Sequence, residues 1–480
     1  MTQTDLLTLL PLVVLAGWAV LLLLLDLWIP VYRKGITAAL SALGLLVTIG
    51  LVVWRSGPVV TAFNNTVRVD GVSTFLNILF LGSGLAGIAL AYNYLKRMNW
   101  ERSEYYSLIM FAICGMMLMS YANDLLVVFI ALEMLSIPLY ILAGFVRHNK
   151  ASEEAALKYF LLGAFSSGFV LYGIALVFGA TGQTGFQPVL ASIIAGKANM
   201  ALILVGAALL LVGFSFKAAL VPFHMWSPDV YQGAPSSVTA FMSVGAKAAG
   251  FAAMIRVFVL AFPSIAPEIM PLMWGLAAVT MVIGNIAALS QKNVKRLLAY
   301  SSIAQSGYML MAFVPYGNAA VRTDSIAALL FYLAAYGVTT FAAWSVVVAL
   351  EKTEGKALEI EDYAGLGKKH PGMALVMLVA MLSFTGVPLT AGFWGKFYLF
   401  STAVQGGQWG LALIGLLASV ISAYYYLHIV VVMYMKPGAP QIRRYRLLEL
   451  TSLIFALAVV VLGFIPWILL QVATKLAALM

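Results

Sequence analysis

The sequence predicts an all-α integral membrane protein with 14 transmembrane helices, and three observations carry that prediction. The first is composition: 63% of the 480 residues are hydrophobic and only 10% are charged, with a mean hydropathy of +0.98. A soluble domain lies near half apolar and a quarter charged. The second is the recurrence of apolar runs long enough to cross about 30 Å of hydrocarbon. The third is the way Lys and Arg alternate between successive loops.

The elements follow in order. The opening "MTQTDLLTLLPLVVLAGWAVLLLLLDLWIP" has no basic residue ahead of its apolar stretch. It reads as a first spanning helix and not as a cleavable leader. Apolar segments separated by short polar or Gly/Pro-rich connections then fall near 5–30, 36–54, 73–95, 105–121, 124–146, 155–180, 199–221, 235–261, 268–290, 295–315, 324–350, 372–401, 408–435 and 447–475. The longest polar connection, 351–372, has room for one short surface helix and a turn, so no soluble domain is expected.

Basic residues orient this array. With the N-terminus outside, the inner loops hold Arg33, Lys34, Lys96, Arg97, Arg102, Arg147, Lys150, Lys292, Lys295, Arg296, Lys352, Lys356, Lys368, Lys369, Lys436, Arg443, Arg444 and Arg446. The outer side holds Arg55, Arg68, Lys197, Arg322 and Lys475. Of 28 Lys and Arg, 18 are thus inside and 5 outside, the asymmetry that membrane insertion produces. It places both termini on the outer side. The net charge of +10 follows from these loops and gives no reason to expect nucleic acid.

Several chemistries are excluded. Cys114 is the only cysteine, so there is no internal disulfide and no Cys-ligated iron–sulfur cluster. His148, His224, His370 and His428 are too scattered for haem pairs. The sequence has neither a GxxxxGK[ST] loop nor a GxGxxG turn between strand and helix.

What remains is charge at membrane depth, which costs about 2.5–3.5 kcal/mol per side chain on insertion scales. Glu133 lies inside "NDLLVVFIALEMLSIPLYILAGF", and Lys217 follows an uncharged run from Asn199 to Phe216. Each is either a carrier in a proton or ion path or a structural charge, Lys217 then serving as counter-charge to Glu133. Burial weakens an ammonium's hold on its proton and a nearby carboxylate strengthens it, so moving the carboxylate would switch the lysine. Lys247 sits among small residues in "SSVTAFMSVGAKAAGFAAMIRV", and Lys396 follows "SFTGVPLTAGFWGKF". Lys158 lies one turn into its span, where snorkelling competes with a deep role. Arg256, near the outer end of its span, reads as a snorkelling or structural cation, and Asp26 as interfacial.

The stretch "GFSFKAALVPFHMW" (213–226) sets Lys217, Pro222 and His224 close together. Pro222 should break the helix, and breaks at membrane depth occur where they line protein or a watery cavity. His224, two turns beyond Lys217, is either a proton relay or a satisfied interfacial histidine. "SFKAALVP" (215–222) is echoed by "SFTGVP" (383–388), and paired interrupted helices mark transport sites in repeat-built carriers.

The segments "PFHMWSPDVYQGAPSSVTAFMSVGAKAAGF" (222–251), "NDLLVVFIALEML" (123–135), "KRLLAYSSIAQSGYML" (295–310) and "SFTGVPLTAGFWGKFYLF" (383–400) closely resemble the subunit N family of proton-pumping NADH:quinone oxidoreductase, respiratory complex I. The resemblance runs along essentially the whole chain, and "PDVYQGAP" favours subunit N over the sister subunits L and M. The chain also stops after the fourteenth span, without the lateral helix of subunit L. The resemblance implies two inverted five-helix repeats, spans 4–8 and 9–13, with discontinuous helices 7 and 12. It divides one membrane domain into 1–104, 105–261, 268–435 and 447–480. It makes Glu133 the carboxylate partner of Lys217 in a first half-channel, Lys247 the central lysine, His224 a relay, Lys396 the terminal lysine and Lys158 a further lysine. It places NADH, FMN, iron–sulfur clusters and quinone on partner subunits and no cofactor on this chain. Subunits M, J and K become the expected neighbours, in a bacterial inner membrane.

Three other classes compete. A subunit of a multisubunit sodium/proton antiporter would share the fold, but "YQGAP" argues against it. A single-chain solute carrier would need a substrate-sized polar cluster that the sequence lacks. A purely structural scaffold would leave the deep ionisable residues unexplained.

Overall fold

The computed structural model of the chain describes residues 3–30, 33–352, 356–442 and 445–480, and these are mostly helical. Arg443 and Arg444, counted above among the inner cations, lie outside the described residues. In chain order the helices are α1 (Gln3–Thr8), α2 (Leu10–Asp26), α3 (Gly35–Trp54), α4 (Gly71–Met98), α5 (Glu104–Tyr121), α6 (Leu125–Ala143) and α7 (Lys150–Thr181). After them come α8 (Phe186–Ile194), α9 (Met200–Ala218), α10 (Trp226–Gly233), α11 (Ser236–Met254), α12 (Ala266–Leu289), α13 (Val294–Met311) and α14 (Ala319–Leu350). The last are α15 (Leu366–Lys369), α16 (Pro371–Thr385), α17 (Ala391–Gln405), α18 (Trp409–Met435), α19 (Arg446–Phe464) and α20 (Pro466–Ala477). Among the described residues, 11 helices are long and apolar enough to cross a membrane.

Polar residues set where these helices begin. Asn149, Asn199 and Asn318 each turn a side-chain oxygen onto first-turn N–H groups of α7, α9 and α14, which would otherwise have no partner. Asp70 starts α4 with a reciprocal capping box, accepting from Ser73 N while the Ser73 hydroxyl accepts from Asp70 N.

Two features depart from the all-helical expectation. Residues Val60–Ala62 (β1) and Val67–Val69 (β2) pair antiparallel, turning through Phe63, Asn64 and Asn65 in left-handed conformations that Asn tolerates well. At the other end, Pro466 interrupts the expected last span, dividing it into α19 and α20. The 351–372 connection holds a 3₁₀ turn at Ile360–Tyr363 followed by α15.

Packing runs through a small set of close contacts. Gly173 of α7 and Gly206 of α9 face each other so closely that a methyl on either would lie 2.8 or 2.9 Å from the other's carbonyl oxygen. Small residues allow this approach where lipid offers no hydrophobic drive for helix association. The most enclosed helix is α11, buried along its whole length. Side chains such as Phe165 and Tyr172 of α7 and Leu417 and Val420 of α18 form instead an exposed apolar belt.

Helix α11 opens into a π-helical segment, Ile255–Ala261, and there Arg256 is fully buried. It does not snorkel. Its Nη1 and Nη2 donate to Asp70 Oδ2 and Oδ1 at 2.6 and 2.8 Å, and its Nε to Ser120 O at 2.7 Å. Burial opposes the Asp70 carboxylate, but Arg256, the Ser73 N–H and Arg68 outweigh it and hold its pKa below the usual range. Asp26, expected at the interface, is half-buried and pairs with Lys34 at 2.5 Å. Removing one partner of a buried ion pair typically costs about 3–5 kcal/mol. Arg256→Met is therefore expected to deplete the folded subunit from membranes, measured by quantitative immunoblotting; wild-type levels would show that this pair does not hold α4, α5 and α11 together.

Candidate functional site

Two interrupted helices define the site. Helix α9 stops at Ala218, with Ala219 left-handed at φ +56°, and the chain resumes as α10 only at Trp226. Helix α16 stops at Thr385, with Gly386 at φ +89°, and resumes as α17 at Ala391. The carbonyls exposed at these breaks find partners. Trp226 Nε1 donates to Phe216 O at 2.9 Å. Lys396, reaching back from α17, donates to Phe384 O at 2.8 Å and Thr385 O at 3.1 Å. A cation is favoured at the C-terminal end of a helix, where the peptide dipoles leave negative charge.

Lys217 is the next-to-last residue of α9 and only 2% exposed. Its Nζ donates to Ser136 Oγ at 2.8 Å and Tyr159 Oη at 3.2 Å, and it lies 5.3 Å from the Tyr159 ring centroid. It does not form the direct pair with Glu133 that the sequence suggests. Glu133 lies one turn away from Ser136 on α6, within electrostatic reach of Lys217, and accepts a short hydrogen bond from Ser167 of α7. The physical reason is the helix end: with α9 finished, the ammonium is taken up by the hydroxyls of Ser136 and Tyr159 and by the faces of Tyr140 and Tyr159.

His224 falls inside the first break, so its two-turn relation to Lys217 does not hold. It is buried, its Nδ1 has no hydrogen-bond partner, and it is within electrostatic reach of Lys247. Lys247 of α11 is 1% exposed and donates to Ser302 O at 2.6 Å and Ser306 Oγ at 3.1 Å, both on α13. Lys158 lies apart from these groups. Its side chain is 41% exposed and bonds Glu154 and Asp229, each at 2.6 Å, while Asp229 also holds Arg296 at 2.7 Å.

Beyond its bonds to α16, Lys396 donates to Ser419 Oγ of α18 at 2.7 Å and sits 4.9 Å from the Tyr308 ring centroid. Neutral polar side chains fill the space between Lys247 and Lys396. Tyr336 donates to Ser302 Oγ at 2.9 Å, Gln305 Nε2 to Tyr426 Oη at 3.2 Å, and Tyr332 to Gln305 Oε1. Tyr425 donates to Asn285 Oδ1 at 2.8 Å, and Asn285 Nδ2 to Tyr308 Oη at 3.3 Å. Hydroxyls both donate and accept, so such a series can pass a proton by reorienting.

The polar spacing of "AYSSIAQSGY" on α13 was the available signal for this series. Two further groups were missed. Lys295, counted above as a loop cation, is 2% exposed in the first turn of α13. Glu351, at the end of α14, is 4% exposed. Among the described residues no cluster of three or more His, Cys, Asp or Glu could hold a metal ion.

A multi-pass helical protein with two interrupted helices and buried lysines is of the antiporter-like class. The family model described as NADH:quinone oxidoreductase/Mrp antiporter, TM, matches residues 122–422, and the chain belongs to that family. It is 44% identical to NADH-quinone oxidoreductase subunit N of Trichlorobacter lovleyi, over 97% of this chain and 95% of that protein. It superposes on a chain of respiratory complex I from Thermus thermophilus with a TM-score of 0.83 and 37% identity, covering 97% of this chain and 99% of that one. It also superposes on a chain of the Mrp complex from Dietzia with a TM-score of 0.86 at 21% identity, covering 100% of this chain and 97% of that one, a likeness of fold alone.

Gly386→Ala would force a left-handed φ on a residue with a Cβ, at about 1–2 kcal/mol, and would set that methyl 3.2 Å from Lys396 Cδ. A lower thermal unfolding midpoint of the purified protein is expected; an unchanged midpoint would show that the turn relaxes freely.

Proposed function

We propose that this chain is a proton-translocating membrane subunit of NADH:quinone oxidoreductase, moving protons through buried Lys, Glu and His side chains while quinone is reduced elsewhere in the complex. One observation carries the reading. Lys217, Lys247 and Lys396 are each at most 4% exposed, and among the described residues none of them is in an ion pair. An ammonium so placed is costly unless it works, and each is held by hydroxyls and carbonyls that leave its proton free to move.

In this reading Lys217 and Glu133 form the first half-channel, with Ser136 between them. His224 relays toward the central Lys247, and Lys396 terminates the hydroxyl and amide series. Lys158, with Asp229 and Arg296, stands at the inner mouth. The chain crosses the membrane fourteen times: the 11 qualifying helices are joined by α2, by α13 and by the interrupted pair α16 and α17. Spans 4–8 and 9–13 are two inverted repeats whose interrupted members are helices 7 and 12. They divide the membrane domain into 1–104, 105–261, 268–435 and 447–480. Both termini face the periplasm of a bacterial inner membrane, as the basic loops indicate. NADH, FMN, iron–sulfur clusters and quinone reside on partner subunits, and subunits M, J and K are its neighbours. The names of the relatives support this assignment.

A second reading, a subunit of a sodium/proton antiporter, rests on the fold shared with the Mrp complex. Both are tested by NADH-driven, quinone-linked proton uptake in inverted vesicles carrying wild type, Lys217→Ala or Glu133→Ala, with assembly followed by artificial-acceptor reduction. Quinone reduction and uptake should fall together by roughly a hundredfold, the lower end of proton-transfer catalysis, with assembly intact. Unchanged rates would make the two groups structural. Sodium-dependent exchange without NADH would favour the antiporter.

A further inference from the structure

We propose that Glu351 and Lys295 form a second buried acid–base site at the inner end of the bundle, which feeds protons to Lys247. The inference rests on the proton-translocating reading above and adds two residues and a route to it. Lys295 Nζ donates to Ala234 O, in the turn after α10, at 2.7 Å, and lies 3.9 Å from Glu351 Oε1. The other carboxylate oxygen, Oε2, is buried and has no hydrogen-bond partner. Buried polar atoms are almost always bonded, so a carboxylate oxygen left open is a place for a proton or a donor to arrive. Tyr94 lies within hydrogen-bonding reach of the Glu351 carboxylate and Tyr363 within electrostatic reach. Arg97 occupies the neighbouring carbonyls Val348 O and Ala349 O, which end α14.

Helical spacing connects this pair to the central lysine. Lys295 and Ser302 are seven residues apart on α13, two turns or about 10 Å along one face, and Ser302 O is the acceptor of Lys247. On α14, Tyr336, Thr340, Trp344 and Glu351 share one face at helical spacing, and Tyr336 bonds Ser302 Oγ. Tyr231 of α10 packs edge-on against Trp344, with centroids 6.4 Å apart. The hydroxyls of Ser227, Tyr231 and Thr340 in this region are buried without a well-formed hydrogen bond, while Tyr231 lies within reach of Ser227 and Ser302, and Thr340 of Tyr336. Each can accept and donate in turn. The two faces and α10 thus enclose a line of open hydroxyls between Glu351 and Lys247.

The step balances with one proton in and one out. Glu351 Oε2 takes a proton from the inner aqueous side and becomes neutral. The Lys295 ammonium, no longer held by a carboxylate, releases its proton to the hydroxyl line. Return of the Glu351 proton to Lys295 restores the charged pair, and a Lys247 amine that has already passed its own proton on takes up the one from Lys295.

The test uses the assembled complex in inverted membrane vesicles, with Glu351→Gln, Glu351→Asp and Lys247→Ala measured together. Glutamine keeps the shape and can still accept from Lys295 but removes the counter-charge, so a purely structural Glu351 predicts lost assembly with normal uptake in whatever complex assembles. The proposal expects proton uptake per assembled complex to fall about a hundredfold in Glu351→Gln, the lower end of the range for lost proton transfer, and to recover largely in Glu351→Asp. Wild-type uptake in Glu351→Gln overturns it. If Glu351→Gln does not assemble, Thr340→Val decides. It removes a hydroxyl that makes at most a weak contact with Tyr336, so a structural role predicts no loss of uptake per assembled complex, whereas the route predicts slower uptake. A normal Lys247→Ala would overturn the underlying reading; loss there beside an unaffected Glu351→Gln would overturn only this site.

Discussion

Backbone hydrogen bonding in a medium without water is the constraint on which this structure depends. An unsatisfied peptide group in hydrocarbon costs several kcal/mol, so a helix can stop at membrane depth only where other groups replace its missing bonds. Here the replacements are specific. Trp226 reaches Phe216 O, Thr280 Oγ1 accepts from Val221 N, Ser383 Oγ accepts from Gly392 N, and Lys396 takes Phe384 O and Thr385 O. Each break is therefore a polar chamber built from backbone first, and the lysines are part of its repair. The two chambers differ in construction: Lys217 belongs to the helix that ends, whereas Lys396 comes from the helix that begins again.

The surroundings of the lysines follow the same economy of charge. Carboxylates pressed directly against all three ammoniums would fix them as ion pairs. Hydroxyls, carbonyls and aromatic faces stabilise the charged form by hydrogen bonds and ring quadrupoles while leaving no strong partner to break. The fully paired cation, Arg256, lies elsewhere, with a bidentate carboxylate and a backbone carbonyl. Its partners fit an anchor, those of Lys247 fit the carrier proposed above, and the contrast lies in partner chemistry because both are buried.

Much of the architecture was legible in the sequence because lipid makes apolar length and loop charge strongly informative. Helices such as Gly35–Trp54 and Trp409–Met435 fall within a residue of the expected spans. Pro222 and Pro388 marked both interruptions, although the helices end earlier, at Ala218 and Thr385, because left-handed residues terminate them first. Lys217, Lys247 and Lys396 were legible as charges within apolar runs. What the sequence could not show was partnership. The separation of Glu133 from Lys217 depends on where α9 ends, and His224 comes within electrostatic reach of Lys247 only because the chain turns there. Lys295 and Glu351 sit at helix boundaries, where a loop cation and a buried one look alike until α10 folds over them. The hairpin at Val60–Val69 was hidden by its shortness.

The placement of one cation on α11 and another on its π-helical continuation has a mechanical consequence. Lys247 and Arg256 are nine residues apart, so they point to roughly opposite sides of the helix. One is fastened to Ser302 and Ser306 on α13, the other to Asp70 and Ser120 at the α4 and α5 side. A helix gripped on opposite flanks resists twisting about its own axis, since turning it strains both fastenings at once. The moving part at Lys247 is then its own four-carbon tether, swinging from a shaft that stays still.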